Sequence, residues 1–197
     1  MKNIFINVCK SQNIVDPGLL QSILELAVQI AREGREGRRI GTIFTVGDEE
    51  KVLELSRTLI LDPLAGHPAK IKHIYNSDMR ETVKELAQLD GGFVISTDGI
   101  VLSGARFFDA GTKDVKIPLG LGTRHLAAAG LSKATNALSI VVSESSLVRV
   151  FEAGNIIAEI YPELWLFRLQ QSQIQSPRVE HQDEQQMTVI SREKEKG

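Results

Sequence analysis

The stretch Asp90-Gly91-Gly92-Phe93-Val94-Ile95-Ser96-Thr97-Asp98-Gly99-Ile100-Val101-Leu102-Ser103 decides which kind of sheet the chain builds. Phe93–Ser96 and Ile100–Ser103 are short runs rich in apolar and β-branched residues, and the Asp98-Gly99 pair between them is turn chemistry, so the segment reads as a β-hairpin. Upstream of it, helices and strands alternate. Asp16-Pro17 supplies an N-cap and a proline suited to the first helical turn, and Leu20, Ile23, Leu24, Ala27, Ile30 and Ala31 recur at helical spacing as far as Gly34. Ile40–Val46 has the composition of a buried strand. Asp48 is placed to cap a second helix with Val52, Leu55 and Leu59 on one face. A loop carrying Pro63, Gly66 and Pro68 leads to a short strand, Ile71–Tyr75, and then to a helix that opens with Asp78 and Glu81 as a capping box and runs to about Leu89.

Downstream of the hairpin, Gly104–Gly122 is rich in glycine and charge, holds Pro118, and reads as a long loop; loops of that length inside a compact domain are usually functional. Thr123 stands as N-cap to a helix from Arg124 to Lys133, whose centre, Ala127-Ala128-Ala129-Gly130, is small enough to lie close against a sheet. Ala137–Val142 reads as a central strand, and Leu147–Phe151 with Ile156–Tyr161 flanks a Gly154-Asn155 turn in a second hairpin. Alternating units followed by hairpins predict an α/β chain with a mixed central sheet and helices on both faces. Residues 1–17 are expected to be an N-terminal extension and 18–167 one domain. Residues 168–197, dominated by Gln, Glu, Lys, Arg and Ser, are expected to be a polar, mobile tail.

Composition narrows the function classes. The chain has 197 residues, of which 42% are hydrophobic and 24% charged, with a formal net charge of −2. That is enough for one good core, and it carries no excess of positive charge to grip nucleic acid without regard to sequence. Met1–Val8 has a short apolar alternation but no cationic flank and no run long enough for export or membrane spanning. Cys9 is the single cysteine, which excludes an intramolecular disulfide and fits a buried thiol in a reducing cytoplasm. His67, His73, His125 and His181 are too scattered for a structural zinc site, so a metal would have to be shared with a ligand.

Three short stretches carry candidate chemistry: Asp90-Gly91-Gly92, Gly122-Thr123-Arg124-His125 and Ser143-Glu144-Ser145. Taken singly, the first also reads as a helix exit and turn, and the third as a solvated strand end. The second sets a cation in the first turn of a helix, where the macrodipole disfavours positive charge. A phosphate suits that place, because free N–H groups, the Thr123 hydroxyl and the Arg124 guanidinium can converge on its oxygens; solvent or an acidic neighbour is the alternative partner for Arg124. Neither Gly-x-x-x-x-Gly-Lys-Ser/Thr nor a helix-opening Gly-x-Gly-x-x-Gly occurs, so a nucleotide site here is of another kind.

In order and in spacing, Leu89-Asp90-Gly91-Gly92-Phe93-Val94-Ile95, Leu121-Gly122-Thr123-Arg124-His125-Leu126-Ala127-Ala128 and Ile140-Val141-Val142-Ser143-Glu144-Ser145, with Ile30-Ala31-Arg32-Glu33-Gly34-Arg35 before them, resemble the diadenylate cyclase domain. That module is shared by the bacterial DNA-integrity scanning protein and by membrane-bound and archaeal cyclases, and the likeness, closest to the soluble archaeal type, runs from about Leu19 to Ile160. It implies condensation of two ATP into cyclic di-AMP, with release of two pyrophosphates, at a composite site between facing subunits of a homodimer or higher homo-oligomer. Asp90 and Arg124 would be catalytic. Asp90 would orient the ribose 3′-hydroxyl and take its proton, and Gly91 and Gly92 would let backbone approach the nucleotide. Gly122, Thr123, Arg124, His125, Ser143 and Glu144 would contact the nucleotide, with Leu102 against the adenine. His125 and Glu144 would ligate Mn²⁺ or Mg²⁺ bridging phosphate oxygens.

Two residues depart from the pattern: Gly92 stands where the family has alanine, and Leu126 where the common motif Arg-His-Arg has its last arginine. Arg106, Lys113 and Lys116 are candidates to supply that charge. The alternative function is a nucleotide-binding regulator of the same fold with little or no turnover. A soluble, cytoplasmic protein is expected, with no nucleic-acid or membrane partner.

Overall fold

The computed structural model describes residues 5–11, 14–111, 115–162, 177–182 and 187–192. In chain order the elements are α1 (Ile6–Ser11), α2 (Pro17–Glu33), β1 (Thr42–Val46), α3 (Glu49–Glu54), β2 (Ser56–Thr58), α4 (Ser77–Leu86), β3 (Gly92–Ile95), β4 (Val101–Phe108), α5 (Thr123–Ala134), β5 (Leu138–Val142), β6 (Val148–Glu152), β7 (Asn155–Tyr161), β8 (Pro177–Gln182) and β9 (Met187–Arg192). The strands form one sheet in the order β2-β4-β3-β1-β5-β6-β7-β9-β8. It is mixed, as expected: β1 runs parallel to β3, and the other pairings are antiparallel.

Period-two burial divides the central strands between two faces. Phe44, Val46, Phe93, Ile95, Ile140 and Val142 point to one side, where Leu20, Ile23, Leu24, Ala27 and Ile30 of α2 cover them together with Met79 and Val83 of α4. Phe44 and Phe93, opposite each other across β1 and β3, stack with centroids 5.3 Å apart. Ile43, Val94 and Val141 point the other way, against Val52 of α3 and Ala128, Ala129 and Leu131 of α5. The small centre of α5 lets it lie on the sheet with little side chain between. Phe5, Val8 and Cys9 of the N-terminal extension are buried in the α2 side of the core. Burial, reinforced by Asp16 and Glu25, pushes the Cys9 thiol up to about 12, which leaves it protonated and inert. Asp16 caps α2 as its spacing suggested, its carboxylate accepting from the amides of Gly18 and Leu19 at 2.9 and 3.0 Å.

Several elements differ from expectation for local reasons. Asp48 stands at the N-cap of α3 in a left-handed conformation but makes no side-chain cap bond; its carboxylate instead accepts the Asn136 amide at 2.8 Å. The helix it was expected to open ends at Glu54, and Ser56–Thr58 pairs with Arg106–Phe108 as an edge strand. Ile71–Tyr75 is no strand: a short 3-10 turn covers Ala69–Ile71 and His73 makes an isolated bridge to Ile100. Asn76, rather than Asp78, caps α4. β4 continues to Phe108, so the long loop after the hairpin begins later than Gly104. Gly122, not Thr123, is the N-cap of α5.

The largest difference lies in residues 168–197, expected to be a mobile polar tail. Their described parts, β8 and β9, form a hairpin that joins the sheet beside β7, with Ile160 opposite Val189. Val189 and Ile190, consecutive in the strand, are buried on opposite faces, so β9 adds one apolar side chain to each side of the sheet. The dominance of charge and amide side chains hid this two-residue apolar contribution. Among the described residues no helix is long and apolar enough to cross a membrane. If β9 completes the core, Val189→Asp places an unpaired carboxylate in it and lowers the thermal unfolding midpoint by roughly 5–10 °C; an unchanged midpoint would show that the hairpin carries no core.

Candidate active site

The topology brings the three sequence stretches to one edge of the sheet. β1 and β3 are parallel, so Gly41 and Asp90-Gly91 precede neighbouring strands at the same end. β5 is antiparallel to β1, with Thr42 opposite Val142, so Ser143-Glu144-Ser145 leaves the sheet there too. The N-terminus of α5 completes the group. Gly122 is extended (φ −83°, ψ −174°) and provides no side-chain cap, so the first amides of α5 stay available while His125 and Leu126 donate to the Gly122 carbonyl.

Arg124 is the hub. Its Nη1 donates to Glu144 Oε1 at 2.8 Å and its Nη2 lies 3.9 Å from Asp90 Oδ1. The cation at a helix start is therefore met by two acidic neighbours. Both carboxylates are largely exposed, 85% for Asp90 and 63% for Glu144, so each ion pair is worth at most about 1 kcal/mol and yields readily to a stronger anion. Gly41 forms the floor under this guanidinium: a Cβ there would lie 2.6 Å from Arg124 Nη1 and 3.3 Å from Glu144 Cγ. Asp90 Oδ1 also accepts the Gly91 amide at 2.9 Å. Gly91 has φ 96° and packs so tightly that a Cβ would sit 2.6 Å from the Arg106 carbonyl, so this turn requires glycine.

Two adjoining cavities open around Arg124. The larger, about 350 Å³, is lined by Gly122, Thr123, Arg124, His125, Ser143 and Glu144, together with Arg149. The smaller, about 150 Å³, is lined by Asp90, Gly91, Thr123 and Arg124 on one side and by Ile43, Phe107 and Phe108 on the other. Thr123 and Arg124 are common to both. A tight turn shapes the rim: Ser146, at φ 61°, donates its amide to the Ser143 carbonyl, and its hydroxyl accepts from Arg39. Of the residues expected at the site, Gly92 and Leu102 line neither cavity. Gly92 is instead the first residue of β3, paired with Ile43 in the sheet, where a Cβ would meet the Ile43 carbonyl at 2.5 Å and the Phe108 ring at 2.7 Å, so there is a steric reason for glycine here.

His125 is 6% exposed and its Nε2 lies 3.1 Å from Arg149 Nη1. Arginine can only donate, so Nε2 accepts and the neutral ring carries its proton on Nδ1. Burial, then the positive charge of Arg149, pushes the His125 imidazole down to about 4. Arg149 is in turn held by Glu159, Nε to Oε1 at 2.7 Å, across the β6–β7 register. This arrangement bears on the expected metal site. Glu144 keeps a carboxylate oxygen for a divalent ion carried by a nucleotide, a mode that Mg²⁺ commonly adopts. His125 as placed does not fit, because its lone pair is engaged by a guanidinium. Among the described residues no cluster of three or more His, Cys, Asp or Glu could hold an ion.

Arg149, Glu159 and Gly41 escaped the sequence reading. Nothing adjacent in sequence flags Arg149 or Glu159; alternate charged positions facing inward on two strands of a hairpin are the faint signal. Of the cations considered as substitutes at Leu126, Arg106 lines the smaller cavity with its guanidinium hydrogen-bonded to Ser56 and the Leu53 and Ser56 carbonyls, Lys116 is exposed and lines neither cavity, and Lys113 lies outside the described residues.

Residues 29–156 match the family described as the DisA bacterial checkpoint controller nucleotide-binding domain. The chain belongs to this family. It is 49% identical over 144 residues to the diadenylate cyclase of Methanocaldococcus jannaschii, a match covering 73% of this chain and 45% of that protein. It is 40% identical over 153 residues to the diadenylate cyclase of Haloferax volcanii, covering 76% and 55%. The chain thus spans about half the length of these relatives. Among solved structures, DacA from Staphylococcus aureus aligns with 71% of this chain and 84% of its own at 23% identity and a TM-score of 0.48, too distant to add to that assignment.

Two outcomes test the geometry. In Gly41→Ala the new methyl meets the flexible end of Arg124, so the fold should survive with a near-normal unfolding midpoint while ATP affinity in calorimetry falls severalfold; unchanged affinity would mean that the guanidinium has no fixed seat. His125 is neutral in both states above its unfolded pKa of 6.5, and below it the unfolded chain takes up a proton that the folded one refuses down to about 4. Stability is therefore lost as pH falls from 6.5 towards 4. Urea titrations should show a smaller loss for His125→Gln than for wild type over that window, and equal losses would contradict the buried neutral imidazole.

Proposed function

We propose that the chain condenses two ATP molecules into cyclic di-AMP. The observation that supports this most is the convergence of Asp90, Gly91, Arg124 and Glu144 around two adjoining cavities, in a chain 49% identical to a diadenylate cyclase. The chemistry needs a hydroxyl made nucleophilic, a phosphoryl group held in line, and donors for the charge that builds on it. Asp90, the exposed carboxylate of the smaller cavity, is suited to orient a ribose 3′-hydroxyl and accept its proton. The amides at the start of α5, the Thr123 hydroxyl and Arg124 supply anion donors aimed at the common wall of both cavities. Glu144 releases Arg124 to the phosphate on binding.

Each 3′-oxygen then forms a bond to the α-phosphorus of the other ATP as the α–β phosphoanhydride bond breaks. The hydroxyl proton passes to Asp90 and pyrophosphate leaves with the bonding pair. Two such displacements close the ring and release two pyrophosphates. One site carries one ATP, so the reaction calls for a second copy of the chain with its cleft opposed, an isologous pair or a higher homo-oligomer built from such pairs. A Mg²⁺ or Mn²⁺ ion bound with the nucleotide would neutralise phosphate charge, with Glu144 as its protein ligand. We place the reaction in the cytoplasm, the compartment that suits the lone buried thiol of Cys9.

Chromatography of the protein incubated with ATP and a divalent cation should reveal cyclic di-AMP and pyrophosphate, with specific activity falling when dilution separates the subunits. Asp90→Asn should bind ATP normally in calorimetry and lose turnover by about a hundredfold or more. Binding of ATP without product by the wild type would instead make the chain a nucleotide-binding regulator, and an unaffected Asp90→Asn enzyme would remove Asp90 from the chemistry.

A further inference from the structure

Arg149 is a buried cation facing a cleft, with more donors than its protein neighbours use. Its side chain is 7% exposed and that of Glu159 is 1% exposed. Nε donates to Glu159 and Nη1 to His125 Nε2, whereas Nη2 has no hydrogen-bond partner among the described residues. Nη2 is not sealed in the core either, since it does not number among the buried polar atoms that lack a partner. The residue lines the larger cavity together with Arg124, Ser143 and Glu144. A desolvated ion pair is weak support for stability and is often replaceable by apolar side chains without loss. Its retention at the wall of a polar cleft needs another reason.

We propose that Arg149 is a second phosphate-binding guanidinium of the cleft, reaching the polyphosphate of the bound nucleotide through Nη2 while Glu159 holds Nε and His125 holds Nη1. This rests on the nucleotide reading given above. Glu159 is a positioning residue: paired across β6 and β7, it fixes the plane of the guanidinium and balances its charge when the cleft holds no anion. His125, whose Nε2 accepts from Arg149, carries its proton on Nδ1 and so adds an N–H donor to the residues that line the larger cavity. Arg124, paired with exposed carboxylates, exchanges partners when the nucleotide enters. Arg149 does not need to, because Nη2 has no hydrogen-bond partner to give up among the described residues.

The test uses inorganic pyrophosphate and adenosine as separate probes in calorimetry, with turnover measured in parallel. Arg149→Lys keeps the buried charge opposite Glu159 but loses the fork, and the double variant Arg149→Met with Glu159→Leu removes both charges together. Both should keep an unfolding midpoint close to wild type, weaken pyrophosphate and ATP by about tenfold or more, and leave adenosine affinity unchanged, a split that a merely structural role would not produce. If the double variant does not fold, Arg149→Lys alone decides. Pyrophosphate affinity within twofold of wild type in the folded variants would overturn the proposal. Wild-type protein that makes no cyclic dinucleotide but shows the predicted split would refute the cyclase reading and leave Arg149 as an anion-binding residue.

Discussion

The site depends on how β1 is paired. With β3 parallel on one side and β5 antiparallel on the other, the entries of β1 and β3 and the exit of β5 meet at one edge of the sheet. Residues 41, 90–91 and 143–146 become neighbours through that pairing, although more than a hundred positions separate the first from the last. A parallel pair cannot be closed by a tight turn, and the crossover that joins β1 to β3 here contains α3, β2 and α4. The long connection from β4 then delivers α5 so that its N-terminus lies over the same edge. A slip of one residue in β1 would exchange the faces of Phe44 and Ile43 and carry Gly41 out from under Arg124.

Burial then sorts the charged residues of the cleft into two kinds. Asp90, Glu144 and Arg124 lie near the surface, where pairing is weak and partners exchange with little penalty. Arg149 and Glu159 lie inside, where breaking the pair would strand a charge. The first group suits residues that must meet, orient and release a reacting nucleotide, and the second suits a fixed wall. His125 stands between them, with its ring set by the buried pair and its helix set by the exposed motif. Preorganised donors on a rigid sheet cost no rearrangement when phosphate charge develops, the usual source of such stabilisation.

Much of this was legible in the sequence, for identifiable reasons. Helix α2, strands β1 and β5 and the two hairpins follow from periodicity and turn chemistry, which act locally. The failures arose where a tertiary partner overrode a local signal. Asp48 looks like a cap but serves Asn136, Ser56–Thr58 continues a helical spacing yet is claimed by β4, and residues 187–192 look like tail yet bury Val189 and Ile190. At the site, the motif stretches 90–91, 122–125 and 143–144 were found because they are contiguous and chemically distinctive. Arg149 and Glu159 were not, since each is a single charged residue in an ordinary strand and only the β6–β7 register makes them a pair. Gly41 was missed for a similar reason: its role is the absence of a side chain beneath another residue.

In the proposed reaction the start of α5 and Arg124 hold the reacting phosphate between Asp90 and Glu144. A crystal structure of the chain with a non-hydrolysable ATP analogue tests it most directly. The α-phosphate oxygens should lie within hydrogen-bonding distance of Thr123 and Arg124, the ribose 3′-hydroxyl on the Asp90 side, with Glu144 released from Arg124. A nucleotide seated away from the α5 N-terminus, or one that leaves the Arg124–Glu144 bond intact, would contradict it.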